Sequence, residues 1–239
     1  MKKVLVLGLV LCGVLVMASP AAAAKSSVTC TGIMTDISAR DVNVPAGAAC
    51  TLVDSAVRND VRVRENSYFQ ATNTDIGGDV KSRDSQTVFV EAGSGVGGII
   101  ETRNTAQVFI FGSFIGDEID VYGASDVTNI CGNRVRWDIE VTASKQDVLV
   151  GDPQAVDCAG NRVLRGDIEI EHNDTDVEMI VAGNRVVRGE IEVLNNKGTS
   201  EKRVSDNRGG DEIDCRNNTN PFAASNNTDF DTARGQCAL

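Results

Sequence analysis

The chain has 239 residues, with 34 acidic side chains, 23 basic side chains and one histidine, so its formal net charge is −11. This charge repels phosphate backbones and anionic lipid surfaces, which argues against nucleic acid and membranes as partners. One histidine, and no paired-cysteine motif at zinc spacing, argue against a zinc site.

Residues 1–24 have the pattern of a secretory signal. Lys2 and Lys3 precede an apolar run over residues 4–17, and small residues follow up to Ala24. The run is too short for a membrane-spanning helix with these flanks. We predict cleavage after Ala24 and an exported protein without membrane insertion, in which residues 25–239 form a single domain.

An internal repeat dominates the rest of the chain. Its anchors are apolar residues that begin short strands: Val42, Val61, Val80, Ile100, Ile119, Ile139, Ile168, Ile191 and Ile213. Successive anchors lie 19, 19, 20, 19, 20, 29, 23 and 22 residues apart. Most anchors have an apolar partner two residues on, which is the strand period. The repeat predicts an all-β fold, a right-handed parallel β-helix (β-solenoid) with about nine coils of 19–23 residues and one longer coil.

Other features of the repeat complete the predicted coil. A second short strand follows the anchor strand, for example at residues 87–90, 107–110, 147–150 and 176–179. Corners are marked by Asn133, Asn161, Asn184 and Asn207, which we expect to form a hydrogen-bonded ladder. Residues 93–98 match a dinucleotide-binding glycine pattern, but no helix follows, so we interpret them as another corner. The 29-residue interval predicts an insertion near residues 151–155.

The predicted domain contains an even number of cysteines: Cys30, Cys50, Cys131, Cys158, Cys215 and Cys237. In an exported chain this favours disulfides, although six cysteines allow fifteen connectivities. Stacked coils favour the sequential pairs 30–50, 131–158 and 215–237, which would close both ends and the coil that carries the insertion. Beyond the last anchor, Pro221 and many asparagines predict an irregular tail over residues 216–239.

Several segments resemble one group of exported bacterial proteins. The first coil, residues 42–52 (VNVPAGAACTL), the strand motif at residues 166–170 (GDIEI) and the ending at residues 235–237 (GQC) are similar to β-solenoid proteins of uncharacterised function that are common in actinobacteria. The resemblance covers nearly all of residues 25–239. It implies the β-solenoid and disulfides at the ends, and it implies no activity.

Acidic residues flank the anchors from the fourth coil onward. Because the anchors point inward, the residues on either side of them are predicted to point outward. Together they form a predicted acidic face: Glu118, Asp120, Asp138, Glu140, Asp167, Glu169, Glu190, Glu192, Glu212 and Asp214. Like charges directly opposite each other on neighbouring strands are destabilising, so cations are expected to offset them.

Two sources of cations are open. The first is an internal ion-pair ladder, in which arginines stand two residues before acidic positions: Arg136 before Asp138, Arg165 before Asp167 and Arg188 before Glu190. The second is Ca²⁺, because it prefers oxygen ligands such as carboxylates from adjacent coils. The glycine-rich aspartate repeats of calcium rolls are absent.

The sequence therefore predicts an exported, non-enzymatic structural or surface-interaction module, whose partner is a cell-envelope component, a carbohydrate or a cationic molecule. The alternative is a Ca²⁺-dependent polysaccharide-binding or lyase-like protein, with Asp138, Asp167, Glu190, Arg165 and Arg188 as candidate residues. Short coils with few loops leave little chain to build a substrate cleft, which favours the first hypothesis.

Overall fold

The computed structural model describes residues 26–155, 157–219 and 221–238, and the predicted signal at residues 1–24 lies outside them. In the described residues the strands form three parallel sheets, and no helix is present. Each sheet receives one strand from each successive coil. The predicted parallel β-solenoid is confirmed.

The three sheets are named here by their strands. Sheet 1 has eleven strands: Val28–Thr29, Val42–Val44, Val61–Val63, Val80–Arg83, Ile100–Arg103, Ile119–Tyr122, Ile139–Thr142, Ile168–Glu171, Glu190–Leu194, Glu212–Arg216 and Thr232–Gly235. Sheet 2 has ten strands: Ile33–Thr35, Ala49–Val53, Tyr68–Thr72, Thr87–Val90, Gln107–Phe111, Val127–Cys131, Asp147–Val150, Met179–Ala182, Lys202–Ser205 and Phe222–Ser225. Sheet 3 has eight strands: Ser38–Ala39, Ala56–Val57, Asp75–Ile76, Gly95–Val96, Phe114–Ile115, Arg134–Val135, Arg162–Val163 and Arg185–Val186.

All nine predicted anchors lie in sheet 1 and pair in register from Val42 to Ile213. Each anchor is at most 1% exposed, because it points into the core between the three sheets. Burial of apolar surface in this core drives the stacking, since a single coil has nothing to bury against.

One inward position carries a charged side chain that the sequence analysis did not identify. Lys202 is fully buried and aligns with Met179 and Phe222 in sheet 2. Its Nζ atom donates hydrogen bonds of 3.1 Å to the carbonyl oxygens of Gly198 and Ser200. Burial lowers the pKa of Lys202, because the charged form is poorly solvated there.

The predicted asparagine ladder forms at the corner between sheets 2 and 3. Each side-chain oxygen accepts a backbone N–H of the preceding coil, from Ser113 for the first member and from an asparagine for the others, and each amide donates to a backbone carbonyl there. The members are Asn133, Asn161, Asn184, Asn207 and Asn227. A second ladder, absent from our prediction, joins Asn173, Asn196 and Asn218 at the corner between sheets 1 and 2. Both ladders satisfy buried backbone groups that would otherwise lack partners.

The glycine pattern at residues 93–98 lies at a corner of the solenoid, as predicted. A Cβ atom on Gly97 would overlap the carbonyl oxygen of Gly77, and one on Gly116 would overlap that of Gly97. Only glycine allows the backbones of successive coils to approach this closely. The pattern therefore has a packing explanation.

The predicted insertion lies between strand Asp147–Val150 and strand Arg162–Val163. Asp152 anchors this loop through two hydrogen bonds. Its backbone N–H donates to the carbonyl oxygen of Cys158 at 2.8 Å, and its carboxylate accepts from Arg203 Nη2 at 2.9 Å. The Cys131–Cys158 disulfide adds a covalent tie. The loop is closely attached to the outer surface of sheet 2.

The prediction of an irregular tail over residues 216–239 is wrong in part. Phe222–Ser225 joins sheet 2 and Thr232–Gly235 joins sheet 1, so the chain completes a further coil. Ala233 takes the place of the anchor, opposite Ile213. Because alanine is a weak strand signal and asparagines surround it, the pattern of the earlier coils is lost.

The second strand predicted at residues 176–179 is displaced by three residues. The strand is Met179–Ala182, with Met179 opposite Val148 and Val181 opposite Val150. Val177, counted as apolar strand in the prediction, is 59% exposed. The connection before this strand is longer than predicted, so the strand begins three residues later in the chain.

The three predicted disulfides are confirmed. Cys30–Cys50, Cys131–Cys158 and Cys215–Cys237 have Cα–Cα distances of 5.4, 4.8 and 5.2 Å. The first and third belong to the apolar core near the two ends of the solenoid. Three disulfides indicate an oxidising, extracytoplasmic environment.

Candidate functional site on the charged faces

The residue after each anchor points outward from sheet 1, and in six successive coils it is acidic. This acidic row consists of Glu101, Asp120, Glu140, Glu169, Glu192 and Asp214, each directly opposite the next. Neighbouring parallel strands lie ~4.8 Å apart, so the row is a line of carboxylates at that spacing. Lys81 precedes the row and Arg234 follows it.

Cations neutralise the two ends of the acidic row. Arg103 forms ion pairs with Glu101 and Asp120 and lies over the ring of Tyr122, and Arg216 pairs with Asp214 at 2.5 Å. Asp120 is only 7% exposed, and one of its carboxylate oxygens is buried without a hydrogen-bond partner. Burial raises the pKa of Asp120, and Glu140 and Glu101 add to this effect against Arg103.

The centre of the acidic row is uncompensated. In the described residues Glu140, Glu169 and Glu192 form no ion pair, although all three are only partly exposed. Burial raises the pKa of Glu169 to about 7, and the charges of Glu140 and Glu192 contribute further. The pKa of Glu192 is raised by burial and then by Glu171. A positive group at this place would relieve the repulsion.

The residue before each anchor has a different role, which the sequence analysis did not separate from the acidic row. These corner carboxylates include Glu118, Asp138, Asp167, Glu190 and Glu212. Asp138 accepts the backbone N–H of Asp167 at 2.7 Å, and Asp167 accepts that of Glu190 at 2.6 Å. Asp60 and Asp79 make the same contact in earlier coils. The predicted acidic face therefore divides into the acidic row and the corner carboxylates, of which Asp138 and Asp167 contact the backbone of the next coil.

The predicted ion-pair ladder does not form in the described residues. Arg136, Arg165 and Arg188 are exposed and make no ion pair with the corner carboxylates. The arginines extend into solvent instead, and Asp138 and Asp167 each direct one oxygen to the backbone of the next coil. The same contacts occupy two of the residues considered for a lyase-like site.

A row of arginines lies on sheet 3, on a different face. Arg134, Arg162, Arg185 and Arg208 stand opposite one another in successive coils, and all four are exposed. In the described residues the row makes one ion pair, from Arg208 to Asp229 at 3.6 Å. We call these four residues the arginine row.

Sheet 2 carries an aromatic cluster that our prediction did not include. Phe89 and Phe109 are opposite each other, with ring centroids 5.4 Å apart, and Phe111 lies 5.7 Å from Phe89. The alternation of the strands could have revealed it, since these residues occupy the outward positions between buried valines. Because the rings pack mainly on each other, the cluster stabilises the surface of sheet 2.

Comparisons with protein-family models, curated proteins and solved structures find no match for this chain. The described residues contain no helix that is long and apolar enough to cross a membrane. Among the same residues, no group of three or more histidine, cysteine or acidic side chains is arranged to hold a metal ion. The Ca²⁺ hypothesis stays a prediction.

The uncompensated charge predicts that Glu169→Gln stabilises the protein in a pH-dependent way. Glu169 has its pKa raised from 4.5 to about 7 in the folded state, so folding takes up a proton between these values and stability falls as pH rises. Glutamine removes this loss. We expect a gain on the order of 1 kcal/mol at pH 8, after allowance for solvent screening, and almost none at pH 4.

Urea denaturation from pH 4 to pH 8 measures this difference. Glu65→Gln, at an exposed turn outside the acidic row, is the matched control and should leave the pH dependence of stability unchanged. A gain for Glu169→Gln that is the same at every pH would contradict the assigned pKa.

Proposed function

We propose that the protein is an exported, non-enzymatic rod that binds a cationic partner through the acidic row of sheet 1. The observation that carries this proposal is the absence of ion pairs at Glu140, Glu169 and Glu192 among the described residues. Three partly buried carboxylates in register repel one another, and a protein with no use for them would gain stability from neutral residues there.

The form of the surface favours a binding role. The acidic row lies on a continuous parallel sheet, with four further strands beyond Glu101 and one beyond Asp214. The backbone therefore fixes the carboxylates at intervals of ~4.8 Å, so little conformational entropy is lost when a partner binds. A partner with several regularly spaced positive groups matches this arrangement best.

The setting of this activity is extracytoplasmic. The disulfides require an oxidising compartment, and residues 1–24 have the pattern of a secretory signal. We infer that the rod acts outside the cytoplasm, where components of the cell envelope are the nearest cationic or carbohydrate partners. The resemblance to exported bacterial β-solenoid proteins agrees with this proposal.

Binding of pentalysine, measured by isothermal titration calorimetry at low salt, tests the proposal. The triple variant Glu140→Gln, Glu169→Gln and Glu192→Gln should bind the peptide at least tenfold more weakly than the unmodified protein, and 0.5 M NaCl should abolish the difference. The row supplies fixed charges close together, so the loss should exceed that from scattered surface charges.

The matched control removes the same number of charges elsewhere, by Asp36→Asn, Glu65→Gln and Glu201→Gln. All three residues are exposed and lie outside the acidic row. We expect this control to bind pentalysine nearly as well as the unmodified protein. An equal loss in the two triple variants would mean that only net charge matters, and the proposal would be wrong.

A further inference from the structure

The acidic row and the arginine row both run along the solenoid, with one residue in each successive coil. From the coil of Asp75 to that of Arg208, the outward residue of sheet 3 stands six or seven positions before the outward residue of sheet 1. Four successive coils carry an arginine on sheet 3 and a carboxylate on sheet 1: Arg134 with Glu140, Arg162 with Glu169, Arg185 with Glu192 and Arg208 with Asp214. Both rows have the inter-strand repeat of ~4.8 Å.

The opposition of charge continues where the sign is reversed. In an earlier coil the outward residue of sheet 3 is Asp75 and that of sheet 1 is Lys81. Between this coil and the four later ones, the residues on sheet 3 are uncharged: Gly95 and Phe114. The two faces thus carry opposite charges in five coils, and in the coils from Asp75 to Asp214 none carries the same charge on both.

We propose that a second copy of this chain is a partner of the acidic row, and that it binds side by side through its arginine row. This inference rests on the proposed function, since it names the cation that the acidic row takes. When two parallel rods meet with their coils level, sheet 3 of one faces sheet 1 of the other. Arg134, Arg162 and Arg185 then face Glu140, Glu169 and Glu192, and Asp75 faces Lys81. In the fourth coil Asp214 is already paired with Arg216.

The chemistry of the two rows suits this contact. Guanidinium groups bind carboxylates through paired hydrogen bonds, and both sets of side chains are held at one repeat by their backbones. In the described residues Arg134, Arg162 and Arg185 form no ion pair, so they are free to make one with a neighbouring rod. Their approach would also lower the raised pKa of Glu169.

The contact is heterologous, because it joins two different faces. After pairing, one rod keeps an unused acidic row and the other keeps an unused arginine row, so association continues into rings or lateral arrays. Sedimentation velocity should therefore show species larger than a dimer as concentration rises at low salt, and 0.5 M NaCl should return the protein to monomer.

Charge reversal on each face tests the partner directly. Variant one carries Glu169→Lys and Glu192→Lys, and variant two carries Arg162→Glu and Arg185→Glu. Each substituted pair stands between two residues of the opposite charge in its own row, and circular dichroism checks that the variants fold. Each variant alone should associate at least tenfold more weakly than the unmodified protein. A one-to-one mixture should regain association, because the reversed faces complement each other.

A control with Glu65→Lys and Glu201→Lys has the net charge of variant one and should associate like the unmodified protein. A protein that stays monomeric at millimolar concentration and low salt, or a mixture that fails to associate, would overturn the inference. Pentalysine binding separates this result from the proposed function. If the rods do not associate but pentalysine still binds through the acidic row, only the inference of self-association is wrong. If pentalysine does not bind either, the proposed function is wrong as well.

Discussion

Asn184→Ala should lower the free energy of unfolding by about 3–5 kcal/mol. The side-chain oxygen of Asn184 accepts from the backbone N–H of Asn161 at 2.8 Å and from its amide at 3.1 Å, and its own amide donates to the carbonyl of Val150 at 2.7 Å. Alanine leaves these buried groups without that partner, and each such group costs about 1–3 kcal/mol. Urea denaturation measures the loss.

Asn59→Ala is the matched control for this substitution. Asn59 is exposed, and its amide makes a single hydrogen bond of 3.3 Å to Asp41. Its loss should cost less than about 1 kcal/mol, because water replaces the partner. Similar losses for the two variants would show that the corner ladder contributes little to stability.

The inward half of this structure is predictable because one physical demand controls it. Every coil must bury an apolar residue at the same place, so the anchors from Val42 to Ile213 recur regularly and set the register of sheet 1. The asparagine ladder and the sequential disulfides follow, since stacked coils bring equivalent positions together. Lys202 departs from this rule because its amine is satisfied by local carbonyls, which no period reveals.

The outward half is less predictable because neighbouring coils decide what each side chain does. Asp138 and Glu140 are both acidic and both flank an anchor. Asp138 accepts a backbone N–H, whereas Glu140 belongs to the acidic row. Which of these contacts an acidic side chain makes depends on the path of the chain at the corner. Arg165 was paired with Asp167 by spacing alone, but Asp167 directs an oxygen to the backbone of the next coil.

The charged rows also show why composition alone is misleading here. A net charge of −11 suggests a uniformly acidic surface, but in the later coils the outward charges are separated by face, with Arg134, Arg162 and Arg185 on sheet 3 and Glu140, Glu169 and Glu192 on sheet 1. Charges of one sign share a face because the coils stack in register, and the anchors in the sequence set that register. The predicted acidic face could therefore be located from the anchors.

The pair of substitutions Cys215→Ala and Cys237→Ala should destabilise the protein by about 3 kcal/mol, in the chain-entropy model of a disulfide that closes a loop of this size. The two cysteines are 22 residues apart, and the bond lies in the core beside the last coil. The strand Thr232–Gly235 pairs on one side only, with Glu212–Arg216. Without the disulfide this end coil should open before the rest, because each coil contacts only its neighbours.

Hydrogen exchange resolves where the stability is lost. Amides in residues 221–238 should lose protection in the variant, while those in the central strands Ile119–Tyr122 and Ile139–Thr142 should keep it. The pair Cys131→Ala and Cys158→Ala is the control, since its disulfide ties a surface loop that Arg203 and Asp152 also hold. Uniform loss of protection along the rod would mean that the solenoid unfolds as one unit, and the last coil would then have no separate stability.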